Sequence, residues 1–230
     1  MPPIKGLRKT CLIDFPPYTS AVIYIAGCNF RCSFCHNGSL VVHDSLPEIP
    51  EKEIMDFLIT RKKWLDAVVI SGGEPTIHRD LPLLCRKLKD MGYMVKLDTN
   101  GSRPEMIRQL IDEKLVDFIA MDIKNSPGKY DETANAKVDM AAIKESIRIL
   151  VGSGIRHEFR TTAVPGHHEK SDFLQIGEMV KGGQKFALQY FRPQGCLEKS
   201  YEQRKPFNMD EMNLFKAYLE KNIKAEIKNG

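Results

Sequence analysis

The sequence predicts an α/β fold built from six βα units, and two observations carry the prediction. Short runs rich in β-branched residues alternate with longer amphipathic runs along the 230 residues, the pattern that repeated βα units around a parallel sheet produce. Six such units fall short of the eight that close a barrel. A partial, splayed (β/α)6 barrel is therefore expected, with a lateral opening wide enough for a peptide of a large partner. Strands are expected at 21–26, 67–71, 94–99, 118–123, 157–162 and 186–191. Between them, 51–63 carries Ile54, Phe57 and Leu58 at helical spacing, and 81–91, 104–113, 141–152 and 171–181 behave alike. The run 209–222, with Met212, Leu214, Phe215 and Leu219, reads as a closing helix. Gly92, Gly101, Gly154, Gly166 and Gly195 fall at junctions where the chain must turn. The polar segment 125–137, with Pro127 and Gly128, is expected as a loop after the fourth strand, either a cover over a site or an ordinary surface excursion.

Composition bounds the rest. A length of 230 residues suits one domain over 1–230. Hydrophobic residues at 42% and charged residues at 28% are those of a globular protein in water. No apolar run approaches a membrane span, and residues 1–6 lack a signal-peptide core, so a cytoplasmic protein is expected. The net charge of +4 is spread along the chain rather than gathered into a stripe, which argues against nucleic acid as a partner. A mildly basic face suits an acidic electron donor such as flavodoxin or ferredoxin.

Three of the six cysteines, Cys28, Cys32 and Cys35, crowd into one loop directly after the first expected strand. Thiolates at C-x3-C-x2-C spacing select an iron–sulfur cluster or zinc over hard cations. A closed zinc site needs a fourth ligand and must recruit His36, adjacent to Cys35, or the distant Cys11, Cys85 or Cys196. A 4Fe-4S cluster on three cysteines instead leaves one iron open to a chelating cofactor or substrate. Cys85, on an expected helix, reads as a small core hydrophobe, and Cys196, after the last strand, is the distant cysteine expected to approach the site.

The run Cys28-x3-Cys32-x-Phe34-Cys35, followed by Ser71-Gly72-Gly73-Glu74-Pro75 after another strand, resembles the radical S-adenosylmethionine (radical SAM) superfamily. Within it the chain is similar to activases of glycyl radical enzymes, from Lys9-Thr10-Cys11-Leu12-Ile13-Asp14-Phe15-Pro16 through Cys35-His36-Asn37, Leu97-Asp98-Thr99-Asn100-Gly101 and Met121-Asp122-Ile123-Lys124 to Arg160-Thr161-Thr162-Ala163-Val164-Pro165-Gly166. The resemblance implies a partial radical SAM barrel, one 4Fe-4S cluster on Cys28, Cys32 and Cys35, and S-adenosylmethionine chelated to the open iron. It implies reductive cleavage to methionine and a 5′-deoxyadenosyl radical, which abstracts hydrogen from a glycine of a protein partner. That partner is expected to resemble anaerobic ribonucleoside-triphosphate reductase, with pyruvate formate-lyase second. A radical SAM enzyme acting on a small molecule and a zinc-stabilised binding module are the rival readings.

The same resemblance assigns further residues. Phe34 would meet the adenine, and His36 and Asn37 would line the site. Gly72 and Gly73 would let a backbone edge approach the methionine moiety, and Glu74 would add a carboxylate for its ammonium group. Lys124 would pair with the cofactor carboxylate, held by Asp122. Asp98 would contribute to a polar or cation site, with Asn100 at the same mouth, and Arg160 would contact the cofactor. Two departures limit the likeness. No ferredoxin-like insert with further cysteine clusters is present, and the sixth strand ends Leu188-Gln189-Tyr190-Phe191-Arg192-Pro193-Gln194, without the histidine of pyruvate formate-lyase activases. His167 and His168 read as part of an exposed loop.

Overall fold

The computed structural model describes residues 1–42 and 46–228. Its strands are β1 (Ile4–Cys11), β2 (Ser20–Ile25), β3 (Ala67–Gly72), β4 (Met94–Thr99), β5 (Phe118–Asp122), β6 (Arg156–Ala163), β7 (Phe186–Tyr190) and β8 (Ala225–Lys228). The helices are α1 (Gly38–Val42), α2 (Glu51–Arg61), α3 (Leu81–Asp90), α4 (Pro104–Asp112), α5 (Tyr130–Ala134), α6 (Met140–Ser153), α7 (Lys170–Met179) and α8 (Met209–Leu219). Strands β2 to β7 are the six expected ones, each within two residues of its expected bounds. Two strands outside those six, β1 and β8, are additions. The α/β class with mostly parallel strand pairing is realised within each compact unit. Packing divides the described residues into two compact units: Met1–Asn29, Asn37–Thr99 and Glu105–Ile119 form the first, and Phe30–His36, Asn100–Pro104 and the chain from Ala120 onward the second.

In the first unit β1 lies antiparallel on β2, while β2, β3 and β4 run parallel, with Ile23 opposite Ile70 and Val69 opposite Lys96. Ala21, Ile23, Val68, Ile70, Val95 and Leu97 are fully buried, as are Ile54 and Leu58 of α2 and Leu81, Leu84, Cys85 and Leu88 of α3. Strands covered on both faces read as near-continuous apolar runs, which is why these were legible. Cys85 is the expected core hydrophobe, its thiol pushed up to about 12 by burial. The alternate residues Val22, Ala67 and Val69 pack with Cys11 at the end of β1 and with Phe15 from the β1–β2 connection, and Phe15 meets Tyr18 and Phe118 at ring-centre distances of 5.1 and 5.5 Å.

In the second unit β6, β7 and β8 are parallel. Asp139 caps α6 through the amides of Ala141 and Ala142, and reciprocal capping boxes start α7 (Glu169 with Asp172) and α8 (Asn208 with Glu211). Phe173 of α7 stacks on Phe215 of α8 at 4.4 Å. The end of β5 is tied to β6 where Ile123 N–H donates to the Arg160 carbonyl at 2.7 Å.

Candidate cofactor site

The first unit carries Cys28 and the glycine turn. At the end of β3, Gly72 has φ +124°, and a Cβ there would stand 2.2 Å from the Ile25 carbonyl oxygen. A Cβ on Gly73 would stand 2.0 Å from the Gly27 oxygen. The amides of Gly73 and Glu74 donate to Ile25 and Gly27, each at 2.8 Å, and Asn37 Nδ2 donates to the Gly72 carbonyl at 2.8 Å. Both glycines are therefore demanded by a backbone seam that seats the start of the cysteine loop against the β3 turn. Glu74 is 1% exposed. Its Oε1 accepts from the Thr76 amide at 3.0 Å, from the Thr76 hydroxyl and from the Thr99 hydroxyl at 2.7 Å, so this oxygen is committed to the turn. Asp98 accepts from the Ser71 hydroxyl at 3.2 Å and lies 3.1 Å from the buried ammonium of Lys96, which also donates to the Asp14 carbonyl at 2.6 Å.

The second unit carries Cys32, Phe34, Cys35 and His36. The Cys35 amide donates to the Cys32 carbonyl at 3.0 Å, closing a tight turn, and Arg31 N–H donates to Ala134 at the end of α5 at 2.9 Å. Burial pushes the Cys32 thiol up to about 11, with the Lys124 cation pulling the other way. The ring of His36 is held through Nε2, 2.7 Å from the Arg192 carbonyl, so that nitrogen carries the proton. Asn100 is buried and its Oδ1 accepts the Ser102 amide at 2.9 Å, forming a local turn.

Asp122, Lys124 and Arg160 form one network at the ends of β5 and β6. Asp122 takes Lys124 Nζ at 3.0 Å on one oxygen and Arg160 Nε at 2.8 Å on the other. Burial opposes its ionisation, but the two cations overcome that cost and hold its carboxyl down to about 2. Burial likewise disfavours the Lys124 cation, and the Asp122 carboxylate more than offsets it, so its pKa is raised. Phe34, Ile123, Thr161 and Thr162 join the three charged residues in lining a small pocket open to solvent. Two cations against one carboxylate leave a net positive charge there, and the side chains of Asp122, Lys124 and Arg160 remain 30%, 19% and 14% exposed.

Two expectations need correction. His167 and His168 are 8% and 3% exposed, not part of an exposed loop. The Val164 amide donates to His168 Nδ1 at 3.1 Å, which makes Nδ1 the acceptor and places the proton on Nε2, 2.8 Å from the Lys124 carbonyl. The ring thus fixes the backbone of Lys124, and burial pushes its pKa down to about 4. Residues 125–137 are no plain loop but include α5. Asn125 donates to the Thr133 hydroxyl and the His167 carbonyl at 2.8 and 2.9 Å, while Ser126 and Lys129 both reach Asp172. Neither feature leaves a local signal, because each depends on groups brought together by the tertiary fold. Cys196 behaves as expected: it is buried after β7, and the next residue, Leu197, donates its amide to the Cys35 carbonyl at 2.9 Å.

Among the described residues no three His, Cys, Asp or Glu side chains converge tightly enough to hold a single metal ion. A cubane asks for something different, one thiolate on each of three irons. None of the six cysteines is in a disulfide. The soft donor set on one loop and the cation-rich space beside Phe34 both fit an iron–sulfur cluster with a carboxylate-bearing cofactor.

A radical SAM superfamily model matches residues 22–179, and the chain belongs to that superfamily. It is a radical SAM enzyme, of the family that uses a 4Fe-4S cluster and S-adenosylmethionine. It shares 34% identity over 206 residues with a protein of Methanocaldococcus jannaschii named as a glycyl-radical enzyme activating enzyme, covering 86% of this chain and 84% of that one. With the pyruvate formate-lyase-activating enzyme of Staphylococcus epidermidis it shares 25% over 173 residues, 69% of this chain and 68% of the relative. The structure of Streptococcus suis SuiB bound to S-adenosylmethionine superposes with a TM-score of 0.71 at 15% identity, covering 90% of this chain, a likeness of fold. This chain spans about half the length of that one, 49%. Among the described residues no helix is long and apolar enough to cross a membrane.

Proposed function

We propose that this chain is the activating enzyme of a glycyl radical enzyme, working in the cytoplasm as one catalytic domain over residues 1–230. The observation that carries the reading is the 34% identity, across most of both chains, with a relative named for that activity. In this reading Cys28, Cys32 and Cys35 hold one 4Fe-4S cluster. A cluster bound there would supply the electron for reductive cleavage of S-adenosylmethionine, with methionine and 5′-deoxyadenosine as products and a glycine of the partner as the hydrogen donor.

This chain's own residues bind, orient and exclude water. Lys124 and Arg160 receive the cofactor carboxylate, and Asp122, shared between them, keeps both cations aimed into the space beside Phe34. Phe34 packs on the adenine, and His36 borders the site. Gly72, Gly73 and Glu74 set the turn that faces the amino-acid end. Asp98, its charge balanced by Lys96, and Asn100 are carried into this reading by the family resemblance alone. Flavodoxin or ferredoxin is the proposed electron donor. The favoured partner resembles anaerobic ribonucleoside-triphosphate reductase, with pyruvate formate-lyase second.

The test pairs the reconstituted protein anaerobically with a glycyl radical enzyme encoded in the same genome, a reductant and S-adenosylmethionine. A glycyl radical signal by electron paramagnetic resonance, dependent on all components, is expected. Cleavage of S-adenosylmethionine with no radical on any such partner would favour the small-molecule rival instead.

A further inference from the structure

The cysteine loop is held from one side by a segment that no cysteine motif contains. After β7, residues 192–198 run along the loop and meet it at four points. Arg192 offers its carbonyl to the His36 ring at 2.7 Å. Leu197 donates its amide to the Cys35 carbonyl and Glu198 donates its amide to the Ser33 carbonyl, both at 2.9 Å. The Ser33 hydroxyl donates to the Glu198 carboxylate at 2.7 Å. Ser33 itself is buried, and the carbonyls of Ser33 and Cys35 belong to the turn that aims Cys32 and Cys35.

The segment is itself braced. Glu198 accepts the Tyr201 amide at 3.0 Å, opening a short 3-10 turn over Lys199–Gln203. The Tyr201 hydroxyl lies 2.7 Å from His167 Nε2, and Arg204 stacks over the Tyr201 ring at 3.8 Å while donating to the Pro165 carbonyl at 2.6 Å. A rigid chain of contacts thus runs from the Pro165-Gly166-His167 turn to the cysteine loop.

We propose that Glu198 is a positioning residue for the iron–sulfur ligands: through Ser33 it clamps the loop so that Cys32 and Cys35 are preset before the cluster arrives. The proposal rests on the reading of these cysteines as cluster ligands. A loop with three thiolates and no such clamp would pay an ordering entropy on each uptake and release the cluster more readily. A hydroxyl bound to a carboxylate is a charge-assisted bond, stronger than a neutral one. Loss of either partner removes it without touching a thiol.

The experiment compares wild type with Ser33→Ala, Glu198→Ala, the double variant and Glu198→Gln. Iron and sulfide per chain are measured after anaerobic reconstitution, and the decay of visible absorbance is followed in an iron chelator. Both alanine variants are expected to lose the cluster about tenfold faster, the loss expected for a hydrogen bond to a charged group. The double variant should lose it no faster than either single one, as for partners in one contact. Glu198→Gln, which keeps an acceptor oxygen but not the charge, should fall between wild type and Glu198→Ala, and the metal-free variants should melt like wild type. Alanine variants that hold the cluster as long as wild type would overturn the clamp alone. A Cys32→Ala chain carrying a full wild-type cluster would overturn the ligand reading and the clamp with it.

Discussion

Glu74 in the first unit and Asp122 in the second both sit at strand ends within the motifs that mark this family, yet the structure uses them differently. One oxygen of Glu74 takes three hydrogen bonds from its own turn and from Thr99, and the residue is 1% exposed. Asp122 also has both oxygens engaged, but by the cations of Lys124 and Arg160, and all three line open space. The glycines repeat the contrast, since the room that a side chain would need at Gly72 and Gly73 is filled by protein backbone. A motif residue can thus build the frame or line open space, and spacing alone does not separate the two.

The sharpest way to break this comparison is Gly73→Ala. With backbone oxygen 2.0 Å from the new Cβ, the seam must open. The cost is expected to be about 1–3 kcal/mol, as for overpacking, and the melting temperature should fall by several degrees before any cofactor is added. A melting curve identical to wild type would mean that Gly73 serves the cofactor rather than the frame.

A second effect, in the second unit, concerns acid. His168 has its pKa pushed from 6.5 down to about 4 by burial. Between those values the unfolded chain takes up a proton that the folded ring refuses, so its contribution to stability is complete above pH 6.5 and falls as the pH drops towards 4. The loss amounts to about 3 kcal/mol at most. Asp122 acts in a lower window: its stabilisation is present above pH 3.8 and fades towards pH 2. Chemical denaturation at several pH values should show the upper slope in wild type and a shallower one in His168→Gln, and equal slopes would remove His168 from the account.

The contrast also explains what could be read in the sequence. Strands β2, β3 and β5 are largely apolar because they are buried, so composition alone marked them. By comparison β1 carries Gly6 and an exposed Arg8-Lys9-Thr10 stretch, and β8 has four residues, two of them charged. Neither differs locally from a loop, and only pairing to β2 or β7 makes it a strand. Within the candidate site, the cysteine loop stood out by residue type and spacing, and Asp122, Lys124 and Arg160 through the family resemblance. The burial of His168 and the clamp between Ser33 and Glu198, partners 165 residues apart, were not legible. Each exists only as a contact across the fold, between residues whose types are ordinary at their positions.

The most direct test of the account is anaerobic reconstitution with iron and sulfide, dithionite reduction and assay of 5′-deoxyadenosine from S-adenosylmethionine, in wild type and in Lys124→Ala. The account predicts a brown protein that forms the product. The Lys124 variant should keep its cluster but bind S-adenosylmethionine at least about tenfold more weakly, as expected for loss of a charged contact. A colourless protein with bound zinc and no product would contradict the radical reading, and an unchanged affinity in Lys124→Ala would contradict the assignment of the second unit's charged network to the cofactor.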